Sequence, residues 1–209
     1  MKILITAGPT REYIDPVRFI TNRSSGKMGY ALAAAAVKRG LETILVTGPA
    51  SLEPPAGARV VRVESAAEMA AAVKRLAPEC GAVVMAAAVA DYRPAEVLEH
   101  KLKKGPGDLM LRLERTEDIL ASLGAMKAPG QLLVGFAAET DDLLANAKKK
   151  LEDKNLDWIA ANKVRDGFGA DTNKVILVGR GGDVVELPTA AKTVVAERIL
   201  EIIFGRRPE

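Results

Sequence analysis

The chain predicts an α/β fold: a three-layer sandwich around a mostly parallel sheet. Three observations carry that prediction. Short apolar runs alternate with helical stretches from the N-terminus onward. The run Gly81 to Ala90 is almost free of polar side chains, as a central parallel strand requires. Two short strands late in the chain flank Gly181-Gly182-Asp183, a hairpin turn. With no internal repeat and no low-complexity linker before the polar tail Arg206 to Glu209, residues 1–209 read as a single domain.

Taken in order, Lys2 to Ala7 is a buried strand closed by the turn Gly8-Pro9. Thr10 to Arg18 has no period and reads as a loop on the carboxyl side of the sheet, where open α/β folds bind ligands. A helix starts near Gly26, carries Ala31 to Lys38, and stops at Gly40 behind two cations. Thr43 to Val46 is the second strand, closed by Gly48-Pro49; Pro54 to Gly57 is a loop and Arg59 to Val63 a third strand. Ser65 caps a helix through Leu76, with Glu68 completing a capping box.

After the central strand, Asp91-Tyr92-Arg93-Pro94 ends the run, and a carboxylate at that point is either a site residue or a loop cap. Lys101-Leu102-Lys103-Lys104 reads on its own as a solvated edge strand guarded by lysine. Leu109 to Leu113 alternates as a strand does, and Thr116 caps a helix from Glu117 to Leu123. Gln131 to Phe136 is a further buried strand with the small-residue exit Ala137-Ala138-Glu139-Thr140. Asp141 to Lys154 is a helix on which Lys150 and Lys154 share a face, where like charges repel unless an acidic neighbour or an anion intervenes. Asp157 to Ala161 is a strand ending at Asn162, and Phe168 to Asn173 a turn. Val175–Val178 and Val184–Leu187 form the hairpin, and Thr189 opens a closing amphipathic helix to Phe204.

Composition excludes several chemistries. Cys80 and His100 are single, so disulfide frameworks, Cys/His metal sites and Cys–His nucleophilic pairs cannot form within one chain. A net charge of +3 and an aromatic content of 4% do not describe a nucleic-acid-binding surface. No run is long enough to span a membrane, and the N-terminus reads as a strand rather than a signal peptide, so the expected location is cytoplasmic.

The densest chemistry lies in Ile20 to Tyr30, I-T-N-R-S-S-G-K-M-G-Y. A turn of this composition before a helix presents backbone N–H groups and the positive helix end, which suits a polyanion such as a triphosphate; the alternative is an ordinary helix start capped by Ser24 or Ser25. Ser24, Ser25, Gly26 and Gly29 are the phosphate candidates. This is no Walker A loop, since Thr21 stands five before Gly26 and Met28 follows Lys27. Nor does Gly8 open a dinucleotide fingerprint, and Thr47-Gly48 offers no acidic residue for a ribose.

Taken together, Gly8-Pro9-Thr10-Arg11-Glu12, Ile14-Asp15-Pro16-Val17-Arg18, Asn22 to Gly29, Ala87-Ala88-Val89-Ala90-Asp91, Lys101 to Lys104 and Gly135 to Thr140 resemble the phosphopantothenate–cysteine ligase family of coenzyme A biosynthesis. The likeness is to the bacterial ligase that forms the second half of a bifunctional decarboxylase/ligase, and it spans nearly the whole chain. It implies a Rossmann-like sheet and a two-step reaction: 4′-phosphopantothenate and CTP give an acyl-cytidylate and pyrophosphate, then L-cysteine gives phosphopantothenoylcysteine and CMP. By that resemblance Asn22 polarises the substrate carbonyl and Lys101 meets the triphosphate. Met85, Ala86, Ala87, Asp91, Glu117, Asp118, Ile119, Leu120, Phe136, Lys150 and Lys154 match nucleotide contacts, and Ala88 joins Asn22 at the substrate. The resemblance further implies Mg²⁺ carried by the nucleotide with no protein metal ligands, and no flavin in this chain. It implies a homodimer in which Arg18 or Arg23 reaches the neighbouring site, and association or fusion with a flavin-dependent decarboxylase. Ala161-Asn162-Lys163-Val164 departs from the family's Ala-Asn-Asp-Val. The competing readings are a nicotinamide-dependent oxidoreductase and a non-catalytic nucleotide sensor.

Overall fold

The computed structural model describes residues 1–105, 107–164 and 170–205. In chain order the elements are β1 (Lys2–Ala7), β2 (Arg11–Tyr13), β3 (Phe19–Thr21), α1 (Lys27–Lys38), β4 (Glu42–Thr47), β5 (Arg59–Arg62), α2 (Ala66–Leu76), β6 (Ala82–Met85), β7 (Tyr92–Pro94), β8 (Leu113–Arg115), α3 (Ile119–Met126), β9 (Leu132–Glu139), α4 (Leu143–Asp153), β10 (Trp158–Lys163), β11 (Thr172–Gly179), β12 (Val184–Ala191) and α5 (Lys192–Phe204). One 8-stranded sheet runs β12-β11-β10-β9-β6-β1-β4-β5. Pairing is parallel from β5 through β10 and antiparallel for β10 with β11 and β11 with β12. The expected mostly parallel sheet with a late antiparallel hairpin is what forms.

Alternation along the strands makes two cores. Leu4, Ile44, Val83 and Leu133 face α2, α3 and α4, whereas Ile5, Leu45, Val84 and Val134 face α1 and α5. The chain leaves β1 for one neighbour, β4, and later returns to its other side as β6, so strand order reverses between β1 and β6. At such a switch point the loops diverge to opposite faces and leave a crevice at the carboxyl ends of the strands.

Several boundaries differ from the sequence expectations, each for a local reason. Thr10 to Arg18 is no plain loop: β2 pairs antiparallel with β3, fastened by an edge-to-face Tyr13–Phe19 contact with centroids 5.6 Å apart. The run to Ala90 stops being a strand at Met85, because the following N–H groups are taken elsewhere. Ala87 donates to Thr6 Oγ1 (3.1 Å), Ala88 to the Gly8 carbonyl (2.9 Å) and Ala90 to Thr10 Oγ1 (3.0 Å). Lys101 to Lys104 is not an edge strand and has no regular structure. The strand expected at Leu109–Leu113 lies instead at Leu113–Arg115, paired with β7.

Thr116 does not cap α3. Its hydroxyl donates to the Ala90 carbonyl (2.6 Å), and Asp118 is the cap, accepting from Ala121 N–H at 3.0 Å. Neither Ser24 nor Ser25 caps α1, whose N-cap is Gly26. Thr189 belongs to β12, since pairing continues to Ala191, and the last helix opens at Lys192. Ser65 does cap α2, accepting from Glu68 N–H, while the Glu68 carboxylate reaches back to Glu64 N–H. Cys80 is buried and His100 exposed. The turn expected at Phe168 to Asn173 lies partly, and the tail Arg206 to Glu209 wholly, outside the described residues, as does Pro106.

Candidate functional site

A cleft of about 840 Å³ opens at the switch point, a size suited to a nucleotide with a second small substrate. Its floor is main chain. The segment Ala86 to Ala90 carries methyl groups and one isopropyl, and its backbone is laced to β1 and to the β2–β3 hairpin. Thr10 N–H donates to the Ala88 carbonyl, and Asn22 Nδ2 donates to the carbonyls of Ala88 and Val89, both at 3.1 Å. Asn22, directly after β3, is thereby fixed at one edge of the cleft.

The two helix starts that face the cleft are electrostatically unlike. Gly26, at φ +79°, turns the chain into α1, and no side chain caps that helix and no acid lies in its first turn. Its early N–H groups keep their partial positive charge. Ser24 Oγ accepts from Gly26 N–H at 3.3 Å, holding the turn. Lys27 pairs with Asp171, and Lys192, at 7% exposure, donates from Nζ to the Ala170 carbonyl at 2.6 Å. Burial pushes the Lys192 pKa down, the Lys27 charge adds to that, and Asp171 opposes it. This end of the cleft is cationic and rich in N–H donors.

At the other end acids and lysines alternate. Asp118 caps α3 and pairs with Lys154 at 2.8 Å; burial pushes its carboxyl up, but the Lys154 ammonium and the helix N–H groups together hold it below the usual range. Glu117 is also held low, by Lys74 first and Ser122 second. Lys150 pairs with Glu139 at 2.5 Å. The repulsion expected between Lys150 and Lys154 is therefore relieved by acids from β9 and from the start of α3; their neighbour Asp153 serves Lys149 instead.

Of the residues singled out in the sequence, Asn22, Ser24, Ser25, Gly26, Gly29, Met85, Ala86, Ala87, Ala88, Asp91, Glu117, Asp118, Ile119, Leu120, Phe136, Lys150 and Lys154 line this cleft together. Lys101, Arg18 and Arg23 do not; Lys101 and Arg23 are exposed, and Arg18 is tied to Asp15. Residues the sequence reading passed over also line it, chiefly Lys27, Arg115, Asn162, Asn173 and Lys192. Lys27, inside the singled-out turn, and Asn162, at the end of a buried strand, did carry a signal. Asn173 and Lys192 come from distant segments with no local mark of a site. Among the described residues no group of three or more His, Cys, Asp or Glu is placed to hold a metal, and no helix is long and apolar enough to cross a membrane.

A family model described as DNA/pantothenate metabolism flavoprotein C-terminal domain (DFP) matches residues 1–206. The chain belongs to this family. The DFP chain is 52% identical over 205 residues to the coenzyme A biosynthesis bifunctional protein CoaBC of Bacillus subtilis (strain 168), covering 96% of this chain and 50% of that one. It is 46% identical over 207 residues to a protein of an unknown prokaryotic organism named cysteine/cysteine sulfinic acid decarboxylase, with 97% and 58% covered. The crystal structure of the C-terminal domain of CoaBC matches the DFP chain with a TM-score of 0.84 and 49% identity over 97% of this chain and 93% of that chain. The DFP chain thus spans about half the length of the curated relatives it matches. Both the family resemblance and the sheet expected from its motifs are borne out.

Proposed function

We propose that this DFP chain is a phosphopantothenate–cysteine ligase acting in coenzyme A biosynthesis, with CTP as the activating nucleotide. The observation that carries the reading is the contrast between the two ends of the cleft: a helix start with no capping side chain and no acid in its first turn, flanked by the Lys27–Asp171 pair and the buried Lys192, and a start capped by Asp118 and flanked by paired acids and lysines. A triphosphate suits the first end, and a base and ribose, which need donors and acceptors together, suit the second. The acid to be activated then lies over the Ala86–Ala90 floor beside Asn22.

In the first step a carboxylate oxygen of 4′-phosphopantothenate attacks the α-phosphorus of CTP, and the bond to the β-phosphate oxygen breaks, releasing pyrophosphate. In the second, the neutral amine of cysteine attacks the acyl carbon of the cytidylate, CMP leaves, and the amine proton passes to solvent. Little covalent chemistry falls to the protein, so positioning and charge stabilisation supply the rate. The family likeness assigns Lys101 the neutralising of charge as pyrophosphate departs; it lies exposed beside the hairpin and outside the cleft's lining, so in that role its side chain reaches in over the bound triphosphate. Mg²⁺ is assigned to the nucleotide, where it offsets triphosphate charge, because the described residues offer no acidic cage. CTP over ATP rests on the likeness to CoaBC alone.

The active form is a homodimer, and an apolar surface supports it: Val17, Phe19, Tyr92, Val97, Met110 and Leu113 are all exposed on or beside the two small sheets. Of the two arginines considered for the other copy's site, Arg23 is the one free to reach it, since the Arg18 guanidinium is held by Asp15 and the Leu102 carbonyl of its own chain. A partner or fused flavin-dependent decarboxylase is part of the same proposal, in keeping with the names of the longer relatives. A cytoplasmic location goes with it. Neither the oxidoreductase nor the sensor is favoured.

The test is pyrophosphate release from phosphopantothenate, with CTP or ATP and with cysteine present or absent. Release with CTP before cysteine is added supports the reading; binding of CTP without release sinks it. Asn22→Asp puts a carboxylate oxygen against the carbonyls of Ala88 and Val89, which accept from the amide in the parent, so the side chain is repelled from its place at the edge of the cleft and its amide is lost. The acyl-cytidylate should still form, with its conversion slowed on the order of 10²–10³-fold. Ordinary turnover in that variant would remove Asn22 from the mechanism.

A further inference from the structure

Asp15 is fully buried, yet it belongs to a solvent-facing turn between β2 and β3. Its Oδ1 accepts from Val17 N–H (2.8 Å) and Arg18 N–H (2.9 Å). Its Oδ2 accepts from Arg18 Nε (2.9 Å), Arg18 Nη2 (2.5 Å) and Leu102 N–H (3.1 Å). Arg18 Nη2 also donates to the Leu102 carbonyl at 2.7 Å. Both backbone groups of Leu102 are therefore held by one ion pair, across sequence separations of 87 and 84 residues. Leu98 N–H donates to the Ile14 carbonyl at 2.9 Å, a second tie between the same two segments.

A carboxylate needed only to shape a hairpin is satisfied by the hairpin's own donors. This one spends an acceptor, and its arginine a donor, on a segment with no regular structure whose neighbouring side chains Lys101, Lys103 and Lys104 are all exposed. The opposite end of the hairpin runs through Thr21, whose hydroxyl donates to the Thr10 carbonyl at 2.7 Å, into Asn22. We propose that Asp15, with Arg18, is the positioning residue for Lys101. The pair fixes the lysine segment by its main chain and refers Lys101 and Asn22 to one hairpin. This rests on the ligase reading and on the role given there to Lys101. A neutral, internally paired hub also keeps the positioning from competing with the lysine for the nucleotide's charge.

Asp15→Asn keeps the shape but loses the acceptor that holds Leu102 N–H and the guanidinium. Pyrophosphate release should slow on the order of 10²-fold, as misplacement of a charge-neutralising group by about an ångström does. Trypsin should cut after Lys101, Lys103 and Lys104 faster than in the parent. The deciding measurement is the double variant. If Asp15 acts through Lys101, Asp15→Asn/Lys101→Ala is no slower than Lys101→Ala alone, whereas independent roles multiply. Multiplied losses, or unchanged release in Asp15→Asn, overturn the inference. Leu102→Pro removes the segment's N–H while sparing the ion pair, and it carries the same comparison should Asp15→Asn fail to fold. Unchanged release in Lys101→Ala overturns both the lysine's role and this inference, while a wild type that still makes pyrophosphate leaves the ligase reading standing.

Discussion

Gly29 shows how closely the first turn of α1 lies on β1. A Cβ there would sit 2.5 Å from the Ala7 Cβ and 2.7 Å from the Thr6 carbonyl oxygen, distances that real atoms do not keep. Gly29→Ala should lift the helix start and lower the urea midpoint by an amount equivalent to about 1–3 kcal/mol; under the proposed function it should also weaken CTP binding more than stability alone explains. A full-strength nucleotide titration in that variant would separate the helix start from the phosphate end. Gly26 is needed for a different reason, a left-handed turn that places the helix N–H groups toward the cleft without a capping side chain. At this scale the sequence was legible in part. The loop residues mark a wall of the cleft by composition, but Asp15 does not announce its partner, since the chain must fold before Leu102 comes within reach.

Among elements, α3 and α4 are coupled through Asp118, which caps one and pairs with a lysine at the end of the other. Asp118→Ala removes both. It should destabilise the fold by about 1 kcal/mol near neutral pH, most of it from the lost cap, because the half-exposed ion pair is screened by solvent. The sign of its pH dependence follows from a carboxyl held below its ordinary value when folded. Its contribution is complete above the ordinary carboxylate pKa and fades as pH falls through the folded one. The gap between variant and parent in denaturant midpoint should therefore close in acid, and a gap that widens there would contradict the assignment. The types of the main helices and of the large sheet's strands were legible from periodicity, whereas their ends, the β2–β3 hairpin and the irregular Lys101–Lys104 segment were not. Thr116 and Thr189 look like caps locally, but Thr116 is spent on the Ala90 carbonyl and Thr189 on an extended β12, both long-range choices.

For the whole molecule, one sheet carries every parallel strand, and both cores pack on it. Heat or urea should unfold the chain in a single transition seen alike by far-ultraviolet dichroism and by the fluorescence of Trp158 on β10. Two separated transitions would mean that residues 1–209 hold more than one folding unit. Fold class and the mostly parallel sheet with its late hairpin are the most legible part of the sequence, because buried parallel strands read as continuous apolar runs; the order of the strands is not written there. The least legible is the far wall of the cleft, where Asn162, Asn173 and Lys192 arrive from β10, β11 and α5.

The lacing of Ala86 to Ala90 has one more consequence. A surface whose polar atoms all belong to peptide groups cannot be retuned by exchanging side chains: a larger residue fills the space, and a smaller one leaves the same carbonyls and amides behind. Under the proposed function, altering which base is accepted begins at the rim, around Asp118, Lys150 and Lys154, with the central shelf left as it is.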